Sequence, residues 1–280
     1  MKSMLILTDF SEAAFRAAEY ACVLTGLLQI RRIILYHAYQ TIVATIDPPV
    51  SPVKNNRQVY LESMEALGML NDRLKAMVGP AVQIDLFAVD AFFPELINQR
   101  CKEEDVDIIV MGVSGKSGLE KLVMGSTTAR MLKTSGYPLL IVPRETPLGR
   151  EIKTIVFTTD LHDISTIPGD QLYSFLDAFK ADICVVNVET SAEEGKYSPE
   201  TKEAIAGLHR LLDRYHPSFY YLEGDDTVES ILVFAGDRKG SLIIAVPKKH
   251  DFFSTIFHKS ISKNLAYNSP VPLLSLPASR

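Results

Sequence analysis

Tryptophan is absent from this chain of 280 residues and cysteine is scarce, with three in all. Cys22, Cys101 and Cys184 are far apart, odd in number and at no metal-ligand spacing. They read as small apolar residues of a reducing compartment, which excludes a disulfide framework or a zinc site. Long apolar runs are missing too. The run near the start is only Met4-Leu5-Ile6-Leu7, too short for a signal peptide, and nothing approaches the ~18 residues of a membrane helix. The expectation is a cytoplasmic protein with no membrane partner. A basic surplus is also lacking: 29 Lys and Arg stand against 34 Asp and Glu, a net charge of −5. Divided at Thr146, the first half holds 15 basic and 16 acidic residues and the second 14 and 18. Neither half can neutralise a phosphate backbone, so nucleic acid is not an expected partner.

What is present is apolar material, 47% of the residues, in a chain long enough for two units of about 140 residues each. Short β-type runs alternate with helical patterns. Residues 3–8, 33–36, 82–89, 108–111 and 139–142 read as strands. Residues 12–28, 58–78 and 94–104, and a stretch from Gly125 to about Thr134, read as helices. β-branched runs separated by helices indicate a parallel sheet covered on both faces. The second half repeats the order. Thr154-Ile155-Val156-Phe157-Thr158-Thr159-Asp160 echoes Met4-Leu5-Ile6-Leu7-Thr8-Asp9, and runs at 183–186, 219–222, 242–246 and 269–274 answer the other four strands. A polar linker, 144–150, carries Pro147 and Gly149. The period is too long for a solenoid and indicates a duplicated domain. The expected fold is α/β, two tandem doubly wound parallel five-stranded sheets, with domains 1–146 and 151–280.

Strand four of the first half runs into Gly112-Val113-Ser114-Gly115-Lys116-Ser117-Gly118, and Gly125-Ser126-Thr127-Thr128 follows at a helix start. Glycines at the carboxyl end of a parallel strand let backbone approach a ligand closely. Free amides at a helix start then face an anion, backed by the helix dipole. Ser126 and Thr127 add hydroxyl donors, and Lys116 offers a charge. Two standard motifs fail. A Walker A loop ending at Gly115-Lys116-Ser117 needs a glycine at Val110, and Gly112, Gly115 and Gly118 do not have dinucleotide-fingerprint spacing. Turn punctuation around a long loop is the plainer reading of the same glycines.

Over nearly the whole chain, as two domains, the sequence resembles the universal stress protein family. The resemblance is carried by Thr8-Asp9-Phe10-Ser11, by Asp107-Ile108-Ile109-Val110-Met111-Gly112-Val113-Ser114-Gly115, by Lys116-Ser117-Gly118-Leu119, by Leu122-Val123-Met124-Gly125-Ser126-Thr127, and by Tyr137-Pro138-Leu139-Leu140-Ile141-Val142-Pro143. It implies the adenine nucleotide alpha hydrolase-like fold of that family. It also implies that ATP is held at Asp9, Gly112, Gly115, Gly125, Ser126 and Thr127, with Lys116 nearby and the backbone at Ala38 beside the adenine. For Asp9 a helix cap or a solvated strand end is the alternative. The resemblance further implies that the fifth strands, 139–142 and 271–275, pair, since family members commonly dimerise through that strand, making one chain resemble a family dimer. A homodimer of whole chains stays open beside that intramolecular pseudo-dimer.

The second half departs from the pattern. Laid over the first, it puts Pro247 at Gly112 and His250 at Gly115. With a two-residue deletion, His258, Lys259 and Ser260 stand at Gly125, Ser126 and Thr127. Proline lacks an amide proton and histidine fills space that phosphate needs, so no ATP is expected there. The basic loop from Pro247 to Lys263, with Lys248, Lys249, His250, His258 and Lys259, reads as solvated or as an interface, with binding of some other anion as the alternative. His209 and His216, seven apart, fall near one helix face with no ligand partner. Asp225 and Asp226 read as helix caps. His37, with no triad partner, reads as a core-edge histidine.

The favoured function is a stress-response protein acting through its nucleotide state, with an unknown protein partner and no named catalytic residue. The alternatives are a slow nucleotide hydrolase or phosphotransferase using Lys116 with Mg²⁺ near Asp9, and a nucleotide-free interaction module working through the second half.

Overall fold

The structure is a computed structural model that describes residues 1–39, 56–90, 94–113, 126–149, 151–161, 164–189, 199–247, 265 and 269–279. The first unit runs β1 (Ser3–Leu7), α1 (Glu12–Leu24), β2 (Arg32–Ala38), α2 (Asn56–Lys75), β3 (Gln83–Val89), α3 (Pro94–Glu103), β4 (Ile108–Val113), α4 (Ser126–Thr134) and β5 (Leu139–Pro143). The second runs β6 (Thr154–Thr158), α5 (Gly169–Phe179), β7 (Asp182–Glu189), α6 (Pro199–Leu212), β8 (Ser218–Glu223), α7 (Thr227–Asp237), β9 (Leu242–Ala245) and β10 (Leu273–Ser275). Single 3-10 turns at Ile164–Thr166 and Asp213–Tyr215 complete it.

The alternation within β1 explains the layers. Met4 and Ile6 join a core with α1 and α2 residues such as Ala17, Leu24 and Leu67. Leu5 and Leu7 point to the other face, against Ile97 of α3 and Met131 of α4. Successive side chains of a strand point to opposite faces, so a strand apolar throughout needs helices on both. The second unit repeats this, with Phe175 and Leu208 in the first core and Val228 and Ile231 in the second. Each fully buried Leu or Ile of such a strand stabilises the fold by about 1.5–3 kcal/mol.

Within each unit the strands run parallel, in the order β3-β2-β1-β4-β5 and, mirrored, β10-β9-β6-β7-β8. The units join edge to edge, because β5 and β10 pair antiparallel, Ile141 with Leu273, Leu140 with Leu274 and Leu139 with Ser275. The expected contact between fifth strands is therefore the seam of one ten-stranded sheet. It covers two edges that would otherwise expose unpaired backbone groups. Because the seam is antiparallel, the carboxyl ends of the two sets of parallel strands open on opposite rims of the sheet.

Helix readings change in places, the second helix running from Asn56 to Lys75. The first helix ends at Leu24, its C-cap Thr25 donating its hydroxyl to the Cys22 carbonyl at 2.7 Å, where periodicity had carried it to 28. His216 lies beyond α6, in a left-handed conformation (φ 48°) capping the 3-10 turn. It therefore shares no helix face with His209, which stacks on Phe219 at 3.7 Å. Asp226 caps α7, accepting from the Val228 and Glu229 amides at 2.9 and 3.1 Å. All three cysteines are buried thiols, and burial pushes Cys22 and Cys101 up to about 12. No described helix is long and apolar enough to cross a membrane.

Candidate functional site

From β1 the chain winds to β2 and β3 on one side, then returns to place β4 on the other. That reversal opens a crevice beyond the carboxyl ends of β1 and β4, the usual ligand position in a doubly wound sheet. Ile6 pairs with Val110 and Leu7 with Tyr36. Continuing those registers past the end of β1 sets Thr8 level with Gly112 and His37, and Asp9 level with Val113 and Ala38. Asp9, Ala38 and Gly112, distant in sequence, converge on one rim.

The turn from β1 into α1 is tightly specified. Thr8 Oγ1 accepts from the Phe10 amide at 3.0 Å, and Asp9 Oδ1 accepts from the Ser11 amide at 3.0 Å. Ser11 then caps α1, accepting from the Ala14 amide at 3.2 Å. Phe10 adopts φ 61°, uncommon for a residue with a side chain. The helix cap is Ser11; Asp9 orients the cap's amide and leaves its carboxylate exposed at the rim. One residue past β1, the Thr8 carbonyl accepts from His37 Nδ1 at 2.8 Å, and the His37 ring packs on Phe10 at 4.4 Å.

Gly112 has a packing reason to be glycine. A Cβ there would lie 2.2 Å from the Ala13 carbonyl oxygen and 2.7 Å from the Ala14 amide nitrogen. Those are backbone atoms of the first turn of α1, which cannot yield. The glycine permits helix and strand to approach one another, a role that phosphate logic alone did not reveal.

The helix expected after Gly125 is α4, beginning at Ser126. Lying between parallel β4 and β5, it runs back along the sheet, so its first turn sits at the same carboxyl rim. Amides of a first helical turn have no intrahelical acceptor. Thr127 is half-buried there and Thr128 buried. Gly115, Lys116 and Gly125 lie outside the described residues, as does the side chain of Ser126.

Sequence reasoning missed one group on this rim. Tyr39 donates its hydroxyl to Asn56 Oδ1 at 3.0 Å, and Asn56 Nδ2 donates to Asp90 Oδ2 at 2.7 Å, linking the ends of β2 and β3 to the start of α2. Burial, then the Asp90 charge, raises the Tyr39 phenol above its ordinary value. Polar residues directly after strands two and three were the available signal, the same one that singled out Asp9. Among the described residues, no group of three or more His, Cys, Asp and Glu is placed to hold a metal ion.

The opposite rim repeats the turn. Thr159 Oγ1 accepts from the Leu161 amide at 3.2 Å, and Leu161 adopts φ 58°. Asn187 stands where His37 stood and donates Nδ2 to the Thr159 carbonyl at 3.0 Å. Helix α5, however, starts only at Gly169, with a 3-10 turn in place of the first turns of α1. The strand register also corrects the superposition made from sequence. Met4 pairs with Ile108 as Ile155 pairs with Leu242. The Ile109 amide donates to the Pro138 carbonyl as the Ile243 amide does to that of Pro272. Val246, not Pro247, therefore occupies the position of Gly112. Val110 and Met131 are 21 residues apart, as are Ile244 and Leu265, and the Met131 and Leu265 carbonyls accept from Ser135 and Ser269 alike. No net deletion separates the halves here. Counting then sets Lys249, His250, Lys259, Ser260 and Ile261 opposite Gly115, Lys116, Gly125, Ser126 and Thr127. Residues 248–264 lie outside the described residues.

The model of the universal stress protein family matches residues 1–143, half of the chain. The chain belongs to that family. It is 26% identical over 148 residues to the universal stress protein MJ0531 of Methanocaldococcus jannaschii, covering 82% of that protein and 51% of this chain. It is 27% identical over 157 residues to MJ0577 of the same organism, covering 96% of that protein and again 51% of this chain. A universal stress protein of Archaeoglobus fulgidus DSM 4304 has the same fold over the whole length, with a TM-score of 0.74, 16% identity and 98% coverage of both chains. This chain is about twice a single domain of the family, in keeping with a tandem arrangement.

Proposed function

We propose that the first unit, residues 1–146, binds an adenine nucleotide, in the first instance ATP, and that the second, residues 151–280, is a degenerate copy supporting it across the seam. The observation that carries this reading is the convergence of Asp9, Ala38 and the first turn of α4 at the switch-point rim. An exposed carboxylate level with the end of β2 suits the hydroxyls and amino groups of a nucleoside. Amides at the start of α4, which have no acceptor within the helix, suit a phosphate chain. These residues fit the ligand. Gly112 supports it indirectly, by bringing α1 close to β4.

One solved universal stress protein is in complex with cAMP, and another, from Arabidopsis thaliana, has AMP bound. For this chain the ligand would sit on Asp9, the backbone at Ala38, Ser126 and Thr127, with Gly115, Lys116 and Gly125 closing over the phosphates and Mg²⁺ accompanying ATP. The protein would act through its nucleotide state on a protein partner, in the cytoplasm, where buried free thiols stay reduced. Mass analysis of nucleotide co-purifying with wild type and with Gly125→Asp tests the reading. Wild type should carry adenine nucleotide and the variant should not; equal occupancy refutes the site.

A further inference from the structure

We infer that His37 is a positioning residue: by donating Nδ1–H to the Thr8 carbonyl, it sets the turn that presents Asp9 to the ligand. A carbonyl oxygen only accepts, so the proton of this bond belongs to the histidine. The bond lies one residue beyond β1, where the sheet gives way to the turn. Its acceptor belongs to the peptide between Thr8 and Asp9. The Phe10 amide is held on the other side by Thr8 Oγ1, and Phe10 itself sits at positive φ. A strained turn persists only when its surroundings over-determine it. Here the over-determining groups are a threonine hydroxyl and a donor on the neighbouring strand.

The second unit makes the point independently. At the equivalent place the same carbonyl is taken by a different residue type, Asn187, with the same threonine bond and the same positive φ beside it. Histidine and asparagine share a side-chain N–H donor at similar reach and little else. What the position requires is the donor, not an imidazole, and Leu161 replaces Phe10, so aromatic packing is not the common factor either.

The inference rests on Asp9 contacting the nucleotide, and a matched pair of variants tests it. His37→Asn keeps a donor of proven reach; His37→Leu has nearly the same shape as asparagine and none. ATP affinity of the full chain is measured by calorimetry, and the Phe10 and Ser11 amide signals by nuclear magnetic resonance without ligand. His37→Leu should shift both amides and weaken ATP about five- to tenfold, one neutral hydrogen bond. His37→Asn should stay within about twofold of wild type. Equal losses in the two variants, or amide signals in His37→Leu like those of wild type, overturn the assignment. If wild type binds no ATP, the nucleotide reading fails by itself, and the ligand-free amide signals still decide whether His37 sets the turn. Asn187→Leu should move the Leu161 amide and leave ATP affinity unchanged.

Discussion

The two rims of the sheet share a turn and differ in a helix. Both units leave their first strand through threonine, a positive-φ residue and a carbonyl held by a side chain of the next strand. Only in the first does the helix begin at once, packed on a glycine. In the second the helix starts later, and Val246 takes the glycine's place, packed against the core. The turn belongs to the fold; the close approach of helix to strand belongs to one unit, and the candidate site lies on that unit. Glycine at 112 and the early start of α1 are thus two sides of one choice.

The comparison breaks most easily at that glycine. Gly112→Val, which copies the second unit, should cost about 3 kcal/mol or more in denaturant unfolding, because two backbones must separate. Val246→Gly should cost only about 1–2 kcal/mol, the loss of a half-buried side chain plus the backbone freedom that a glycine gives up on folding. Equal costs would mean that α1 can shift as α5 has.

The difference in ligand binding can be sharpened at the paired aspartates. Asp9→Asn keeps an oxygen for the Ser11 amide and loses the charge. It should weaken ATP more than about tenfold in calorimetry, the worth of a charged hydrogen bond. Asp160→Asn should leave ATP affinity as it was.

A smaller contrast lies before the two seam strands. Ser135 and Ser269 make the same turn, each donating its hydroxyl to the carbonyl two residues on and accepting from the amide there. Ser269 is buried and Ser135 only partly so. Ser269→Ala should therefore cost about 1–2 kcal/mol, and Ser135→Ala about half that, in thermal unfolding.

The smallest expected effect is electrostatic. Arg32 bonds Asp85 at 2.6 Å and Glu104 at 2.7 Å, whereas the second unit has Asp182 at the place of Arg32. The bond to Arg32 holds the Glu104 carboxyl below its ordinary 4.5. A depressed folded value means the unfolded chain binds more protons, so this contribution is full above the ordinary value and lost as pH falls through the folded one. For a partly exposed pair it should be under about 1 kcal/mol. Unfolding from pH 6 to 3 should show wild type losing slightly more than Glu104→Gln.

Much of this was legible in the chain. The apolar run Met4 to Leu7 read as a strand buried on both faces, and the Thr-Asp ending of the first strand in each half marked the repeat. Asp226 as a cap and the buried cysteines followed from residue type and spacing. The extent of α1 was not legible, because the apolar pattern continues past Leu24 while the backbone turns. Nor was the match of the two halves around Gly112: Pro247 and His250 suggested a superposition one residue off, since apolar strands look alike when shifted by one. The group of Tyr39, Asn56 and Asp90 was invisible because its members come from three elements.

By itself the sequence determined the class of fold, the duplication and which half keeps its glycines, since these depend on periodicity and residue type along the chain. Only the tertiary structure decided that the expected pairing of the fifth strands is antiparallel and fuses two sheets into one, that Val246 answers Gly112, and that His37 and Asn187 bond equivalent threonine carbonyls. Those facts depend on register and on contacts between distant segments, which local patterns do not encode.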